Sequence, residues 1–270
     1  ILEKVKEISC FLPLKDIYVI GDSESHSIFL YDKNFNFLYS FGELKKGDDG
    51  FEIITDIVSD GNLLYIVGHL KNISIFDIKG KFLSYINTGQ NFVRKMRLFA
   101  NKLIFATGSS PIIHIYEKGK EVKSFGEYPD NYKFYPTGVF VSIDVSKEGI
   151  YLALPLSYPI RLYDFDGNLK KEIGKKEWTG EIYENFDPST SKVFEKYTKI
   201  IDINLINDFI IITKLLPKES NAIYSYDLIM KDGEIKIKHF KTNDFLTNVK
   251  DSKLYFVEGK NKLKIGVLKW

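Results

Sequence analysis

The sequence predicts an all-β fold, a closed six-bladed β-propeller of four-stranded antiparallel blades. Three observations predict it. A strand ending in an aromatic–acid pair recurs along the chain, each copy is flanked by further strand-like runs, and helical periodicity is nearly absent. Self-similarity of this kind is the signature of radial repeat architectures.

The marked strand is IFLYD at 28–32, ISIFD at 73–77, IHIYE at 113–117 and IRLYD at 160–164, with a weaker fifth copy, IYSYD, at 223–227. After each of the first four comes a turn and a strand closing on glycine: NFNFLYSFG at 34–42, GKFLSYINTG at 80–89, GKEVKSFG at 119–126 and GNLKKEIG at 167–174. The turns Lys79-Gly80, Lys118-Gly119 and Asp166-Gly167 suit tight hairpins, because glycine accepts the positive φ they require. Before each marked strand lies an apolar one: IYVI at 17–20, LLYIV at 63–67, LIFA at 103–106 and IYLA at 150–153, with further copies FIIIT at 209–213 and LYFV at 254–257. Ahead of these runs a first strand, clearest as IITDIV at 53–58.

Four short strands per unit of roughly 40–50 residues make the blade pattern. Only residues 192–199 carry plausible helical content. Units start near Glu7, Ile53, Arg94, Val139, Ile200 and Phe245. They form one domain over 1–270, with blades at about 7–45, 53–90, 94–127, 139–175, 200–242 and 245–270. The last has three clear strands, ending with LKIGVL at 263–268, and residues 1–6 are expected to supply its fourth. Such a closure pairs the chain's two ends and removes an exposed edge.

Composition agrees with this reading. Across 270 residues, 44% are hydrophobic and 27% charged, as in soluble globular domains. The aromatic fraction of 15%, mostly 21 Phe and 17 Tyr, suits pleated, half-buried surfaces. A formal charge of +2 leaves no clustered basic footprint for nucleic acid. A single cysteine, Cys10, excludes an intrachain disulfide or a thiolate cluster and is expected to be a buried, inert thiol. No apolar run approaches the roughly 18 residues of a membrane span, so an integral membrane domain is not expected, although a lipid anchor fits. The chain starts at Ile1 within strand-like sequence, which fits a trimmed leader or a domain of a larger chain.

The phrase SIFLYDKNFNFLYSFG at 27–42 is similar to the repeat of NHL-type propellers, in which a strand ending in "fd" or "yd" leads through a turn to a strand closing on "fG". GDDGF at 47–51, leading into ITDI at 54–57, resembles the Gly-rich link between blades of that group. The chain particularly resembles uncharacterised bacterial six-bladed propellers, many of them exported proteins or lipoproteins. That resemblance implies an extracytoplasmic location, periplasmic, secreted or lipid-anchored. It specifies fold rather than function, because this architecture hosts lyases, lactonases, hydrolases and pure binding proteins.

Aligning the blades places one polar residue at the matching position of every innermost strand: Ser9, Asp56, Arg97, Ser142, Asp202 and Asn248. Alternation turns their neighbours between the sheets and these six towards a central channel. One reading is a water-filled, charge-balanced lining, with Arg97 offsetting Asp56 and Asp202. The other is an axial ligand or a calcium ion, which takes six to eight oxygen ligands, although Arg97 opposes it. No metal or other cofactor is otherwise expected. His26 and His69 lie in loops joining second and third strands, while His114 and His239 lie elsewhere, and no pair has HxH or HExxH spacing. Asp22, Glu24 and His26 form a possible acid–base triplet, and there is no GxSxG motif.

The long connection at 174–199 carries Trp178, Tyr183, Phe186 and Tyr197 among charges, and connections of that length are usually functional or disordered. A shorter link at 127–136 adds Tyr128, Tyr132, Phe134 and Tyr135, beside Arg94 and Lys95. Trp178 and Tyr183 are candidate ligand contacts on the loop face. The expected function is that of a monomeric scaffold binding a protein, peptide or glycan, with a propeller lyase or hydrolase holding an axial metal as the alternative.

Overall fold

The computed structural model describes residues 2–44, 50–68, 72–89, 92–128, 141–155, 157–174, 199–217 and 220–267, and every regular element among them is a strand. The first sheet contains β1 (Ile8–Pro13), β2 (Ile17–Asp22), β3 (Ser27–Asp32) and β4 (Phe37–Phe41). The second contains β5 (Asp56–Ser59), β6 (Leu63–Val67), β7 (Asn72–Asp77) and β8 (Phe82–Asn87). The third contains β9 (Val93–Phe99), β10 (Lys102–Thr107), β11 (Ile113–Glu117) and β12 (Lys120–Phe125). The fourth contains β13 (Ser142–Ser146), β14 (Gly149–Leu154), β15 (Ser157–Tyr163) and β16 (Leu169–Ile173). The fifth contains β17 (Lys199–Ile206), β18 (Phe209–Leu215), β19 (Tyr224–Met230) and β20 (Ile235–Thr242). The sixth contains β21 (Phe245–Lys250), β22 (Lys253–Glu258) and β23 (Lys262–Val267). Every sheet is ordered as its sequence runs, and the paired strands are antiparallel.

The marked acids owe their recurrence to the hairpin that follows them. Asp32 accepts the backbone N–H groups of Asn34 and Asn36, both at 2.8 Å. Asp77 does the same for Lys79 and Lys81 at 2.9 Å, and Asp164 for Asp166 and Asn168 at 2.9 and 2.8 Å. In each turn the acid's own N–H bonds the carbonyl four residues on, and the residue three positions after the acid has positive φ. Gly80 and Gly167 meet that demand without strain at φ 86°, whereas the first blade uses Phe35 at 63°. The fifth copy, IYSYD, departs from this. There the bond runs from Met230 N–H to the Glu234 carbonyl, with Gly233 at φ 103°, so Met230 holds the acid's place and Asp227 lies inside β19.

By contact density the chain separates into two compact units. In the first, Leu2, Val5, Ile8, Phe11, Ile20, Tyr31, Tyr255 and Val257 fill the layer where the sixth sheet meets the first. Cys10, Val19, Leu30, Phe51, Ile54, Leu64 and Ile66 fill the layer between the first and second. In the other unit, Tyr151, Ile160, Ile200, Ile203, Ile210, Ile212 and Ile229 join the fourth and fifth sheets. Each such fully buried aliphatic side chain contributes on the order of 1.5–3 kcal/mol.

The N-terminus joins the sixth blade, but not as the expected strand. Residues 2–7 have no strand pairing, and the sixth sheet has three strands among the described residues. Leu2 N–H donates to the Asn261 carbonyl at 3.1 Å, Ile8 N–H to that of Lys260 at 2.7 Å, and Asn261 Nδ2 to that of Val5 at 3.1 Å. The spacing Leu2-x-x-Val5 explains this. A turn closed by Val5 N–H on the Leu2 carbonyl buries both side chains together, whereas a strand would send them to opposite faces. Of the proposed helical stretch, residues 192–198 lie outside the described residues.

Candidate functional site

Of the six polar residues of the innermost strands, Asp56, Ser142 and Asp202 are buried. They are engaged with the innermost strand of a neighbouring sheet. In the first unit Asp56 Oδ2 accepts Met96 N–H from β9 at 2.6 Å, while Oδ1 accepts its own neighbour Ile57 N–H at 3.1 Å. Asn248 Nδ2 of β21 donates to the Phe11 carbonyl of β1 at 2.9 Å. Arg97 Nη1 donates to the Met96 carbonyl at 2.8 Å, and Ser9 Oγ lies 3.9 Å from Cys10 Sγ.

The second unit repeats the device. Ser142 Oγ of β13 donates to Asp202 Oδ1 at 2.5 Å and accepts Ile203 N–H of β17 at 3.1 Å. Asp144, next but one along β13, accepts Leu205 N–H at 2.6 Å. Asp202 also accepts Ile203 N–H at 3.0 Å and the Asn204 amide at 3.3 Å. Buried, charge-assisted bonds of this kind each contribute about 1.5–3 kcal/mol. They join blade to blade.

The loop triplet does not converge. Asp22 is fully buried and accepts four backbone N–H groups, from Lys6 at 2.7 Å, Glu7 at 3.2 Å, Glu24 at 2.9 Å and Ser25 at 3.1 Å. Burial alone would raise its carboxyl pKa, but those donors outweigh it and hold the carboxyl below the usual range. Asp22 thereby ties the N-terminal segment to the β2–β3 loop. Glu24 instead reaches Lys260 at 3.4 Å and Lys6 at 4.0 Å. His26, in left-handed conformation at φ 53°, has a buried Nδ1 without a partner.

Other predicted positions divide in the same way. His114 is buried on β11, its Nε2 donating to the Pro111 carbonyl at 2.9 Å, its Nδ1 3.3 Å from Glu121, its ring stacked on Phe105. Tyr128 donates its hydroxyl to the Thr107 carbonyl at 2.9 Å, holding the β10–β11 loop. Cys10 is a buried thiol, pushed up to about 12 chiefly by burial and then by Asp56. His69, Trp178, Tyr183, Phe186 and Tyr197 lie outside the described residues, as do Tyr132, Phe134, Tyr135 and the side chain of His239. Among the described residues no three His, Cys, Asp or Glu side chains gather as metal ligands, and no helix is long and apolar enough to cross a membrane.

The sequence reading missed a buried ion pair. Lys214 Nζ of β18 contacts Asp227 Oδ2 of β19 at 2.5 Å, and both side chains are 2% exposed. Register explains their meeting: Asp227 pairs with Ile212 and Ser225 with Lys214, so all four side chains share one face of the fifth sheet. That face carries Ile212 and Ile229 into the core with the fourth sheet. Ser225 Oγ is buried beside the pair without a hydrogen-bond partner. A signal was available. The turn dipeptide Asp232-Gly233 matches Asp166-Gly167, and aligning on it moves Asp227 out of the turn and into the strand.

Antiparallel sheets ordered along the sequence, joined innermost strand to innermost strand, define a six-bladed β-propeller. Solved structures show the same fold. An exported-protein candidate from Bacteroides fragilis superposes with a TM-score of 0.64 at 11% identity, over 93% of this chain and 79% of that one. A member of the DUF4221 family from Bacteroides vulgatus matches at TM-score 0.61 and 12% identity, over 98% and 93% of the two chains. Virginiamycin B lyase from Staphylococcus aureus matches at 0.59 and 12% identity, over 98% and 85%. At such identities the likeness is one of fold. No family profile and no curated protein sequence matches the chain.

Proposed function

We propose that this chain is a ligand- or partner-binding propeller scaffold that binds a protein, peptide or glycan through the loop face around its central channel. One observation carries the reading: four of the six polar side chains of the innermost strands are engaged in blade-to-blade hydrogen bonds, from Asp56 to Met96, Ser142 to Asp202 and Asn248 to Phe11. Groups engaged in this way serve the framework, which leaves recognition to the loops. Asp22 and Tyr128 fix two of those loops in place, and preorganised loops lose less entropy on binding. The aromatics Trp178 and Tyr183, in the long connection at 174–199, are the proposed contacts. The Bacteroides exported-protein candidate among the structural neighbours supports an extracytoplasmic place of action, in keeping with the NHL-like repeat.

Glycan and peptide arrays would identify a ligand, and calorimetry would then compare the wild type with Trp178→Ala/Tyr183→Ala. Binding weakened by tenfold or more is expected, corresponding to about 1.4 kcal/mol. Unchanged affinity in the double variant would remove these residues from the site. Elemental analysis of the purified protein provides the second arm: one equivalent of calcium, lost in Asp56→Ala, would replace the scaffold reading with an axial-ion enzyme.

A further inference from the structure

His114, on β11, is buried with both ring nitrogens facing acceptors. Its Nε2 lies 2.9 Å from the Pro111 carbonyl, which has no proton to give, so Nε2 donates. The Thr107 hydroxyl, 3.4 Å from the same nitrogen, directs its proton to the Ser109 and Pro111 carbonyls at 2.9 and 3.1 Å. On the other side of the ring, Nδ1 lies 3.3 Å from Glu121 Oε1 of β12, a side chain 38% exposed that also accepts the Tyr116 hydroxyl at 3.3 Å. A partly hydrated carboxyl held by a hydroxyl donor is ionised, and an ionised carboxyl only accepts. Each nitrogen therefore needs a proton, and the imidazolium alone carries both. Burial opposes that charge, whereas the Glu121 carboxylate and the face of Phe105, stacked at 5.1 Å, favour it.

The neutral ring has a single N–H. Whichever nitrogen keeps it, the other turns a lone pair on an acceptor, Nε2 against Pro111 or Nδ1 against Glu121. Pro111 belongs to the loop joining β10 to β11, which is closed by Thr107 N–H on the Ile112 carbonyl at 2.8 Å and braced by Tyr128 N–H on Ser110 Oγ at 3.0 Å. Among the described residues, the titratable groups that reach this cluster are Glu121 from β12 and Tyr116 from β11, while β10 contributes Phe105 and Thr107. Tyr116, raised by burial and then by Glu121, keeps its proton throughout the range in which histidines titrate.

We infer that His114 is a proton-dependent latch on the β10–β11 loop: the imidazolium ties Pro111 to Glu121 and holds the loop, and loss of the ring's second proton releases it. The latched form binds the extra proton, so the latch is closed on the acid side of the histidine range, centred at about pH 6.5, and opens as pH rises through it. The loop lies on the proposed binding face, but the latch holds whether or not that face takes a ligand.

Nitrogen NMR of the ring, with His114→Gln assigning its resonances, reports the charge at about pH 5.5 and about pH 8.5, either side of the histidine range. Amide exchange, corrected for its intrinsic pH dependence, reports the loop through the N–H groups of Thr107, Ile112 and Tyr128. An imidazolium at the lower pH and a neutral ring at the higher are expected, with those amides about fivefold less protected at the higher. In Glu121→Gln the carboxamide can donate to Nδ1 of a neutral ring, so the loop should stay protected at both. A ring neutral at both pH values, a ring charged at both, or protection that ignores the ring's charge overturns the inference. So does an undiminished step in Glu121→Gln, whose exposed position keeps the test available should His114→Gln fail to fold.

Discussion

Replacing Lys214 by methionine leaves the Asp227 carboxylate buried in the core face of the fifth sheet without its ammonium partner. The pair lies 2.5 Å apart with both side chains 2% exposed. At an effective dielectric of about 20, Coulomb attraction at that distance is about 7 kcal/mol. Withdrawing two ions from water costs several kcal/mol each, so the pair as a whole contributes little net stability. Removing one partner loses the attraction and keeps the remaining ion's desolvation, an expected destabilisation of about 3–5 kcal/mol. Asp227→Leu should cost a similar amount by removing the carboxylate that the buried ammonium contacts. The double variant Lys214→Met/Asp227→Leu removes both ions and fills the space with apolar atoms beside Ile212 and Ile229, so it should return to within about 1 kcal/mol of wild type or exceed it. Urea denaturation followed by far-UV circular dichroism measures all three. Single variants each costing under about 1 kcal/mol, or a double variant costing their sum, would refute the account.

Other expectations rest on separate contacts. A Cβ on Gly68 would meet the fully buried Phe51 ring at 2.1 Å, so Gly68→Ala should cost about 1–3 kcal/mol, and Phe51→Leu in the same chain should recover part of it on thermal denaturation. Asp22→Asn should destabilise by about 2 kcal/mol at neutral pH, because four backbone donors lose an ionised acceptor. The native carboxyl titrates below its unfolded value of about 3.9, so this stabilisation is complete above that value and is lost as pH falls through the depressed native pKa. Stability curves of wild type and variant should therefore converge in that acid window, and a gap that persisted unchanged there would show the charge to be irrelevant. Cys10, with its thiol raised to about 12 by burial, should resist thiol reagents in the native protein and react on unfolding; rapid native labelling would contradict the burial.

The fold was legible because blade geometry repeats local chemistry. An acid that caps a hairpin, a residue with positive φ three positions later and alternating apolar strands are all short-range signals, and they recur at Asp32, Asp77 and Asp164. Legibility failed where a residue met the pattern for a different reason. Asp227 follows a tyrosine as Asp32 and Asp164 do, yet its hairpin begins three residues later, and its partner is a lysine on the adjacent strand. Nothing within IYSYD reveals that register. The N-terminal segment failed for a related reason: strand-like composition in residues 1–6 hid the three-residue spacing of Leu2 and Val5, which suits a turn against the core.

The polar ring illustrates why residue type at a matched position is a weak guide to a binding site. The innermost strand of each blade is itself a sheet edge, and half of its N–H and C=O groups have no ladder partner. Those groups lie within the protein, where an unmatched one costs about 1–3 kcal/mol. A neighbouring blade can meet that demand with a short polar side chain, as Asp56 does for Met96, Asp144 for Leu205 and Asn248 for Phe11. Asp, Asn and Ser in that register therefore follow from closing the inner edge, and they are also the residues that would hold a hard cation or a sugar. Only the direction of each side chain separates the two causes, and here the bonds of Asp56, Asp144 and Asn248 run to the backbone of the neighbouring blade. On the proposed binding role, recognition is to be sought in residues the repeat does not require, foremost Trp178 and Tyr183.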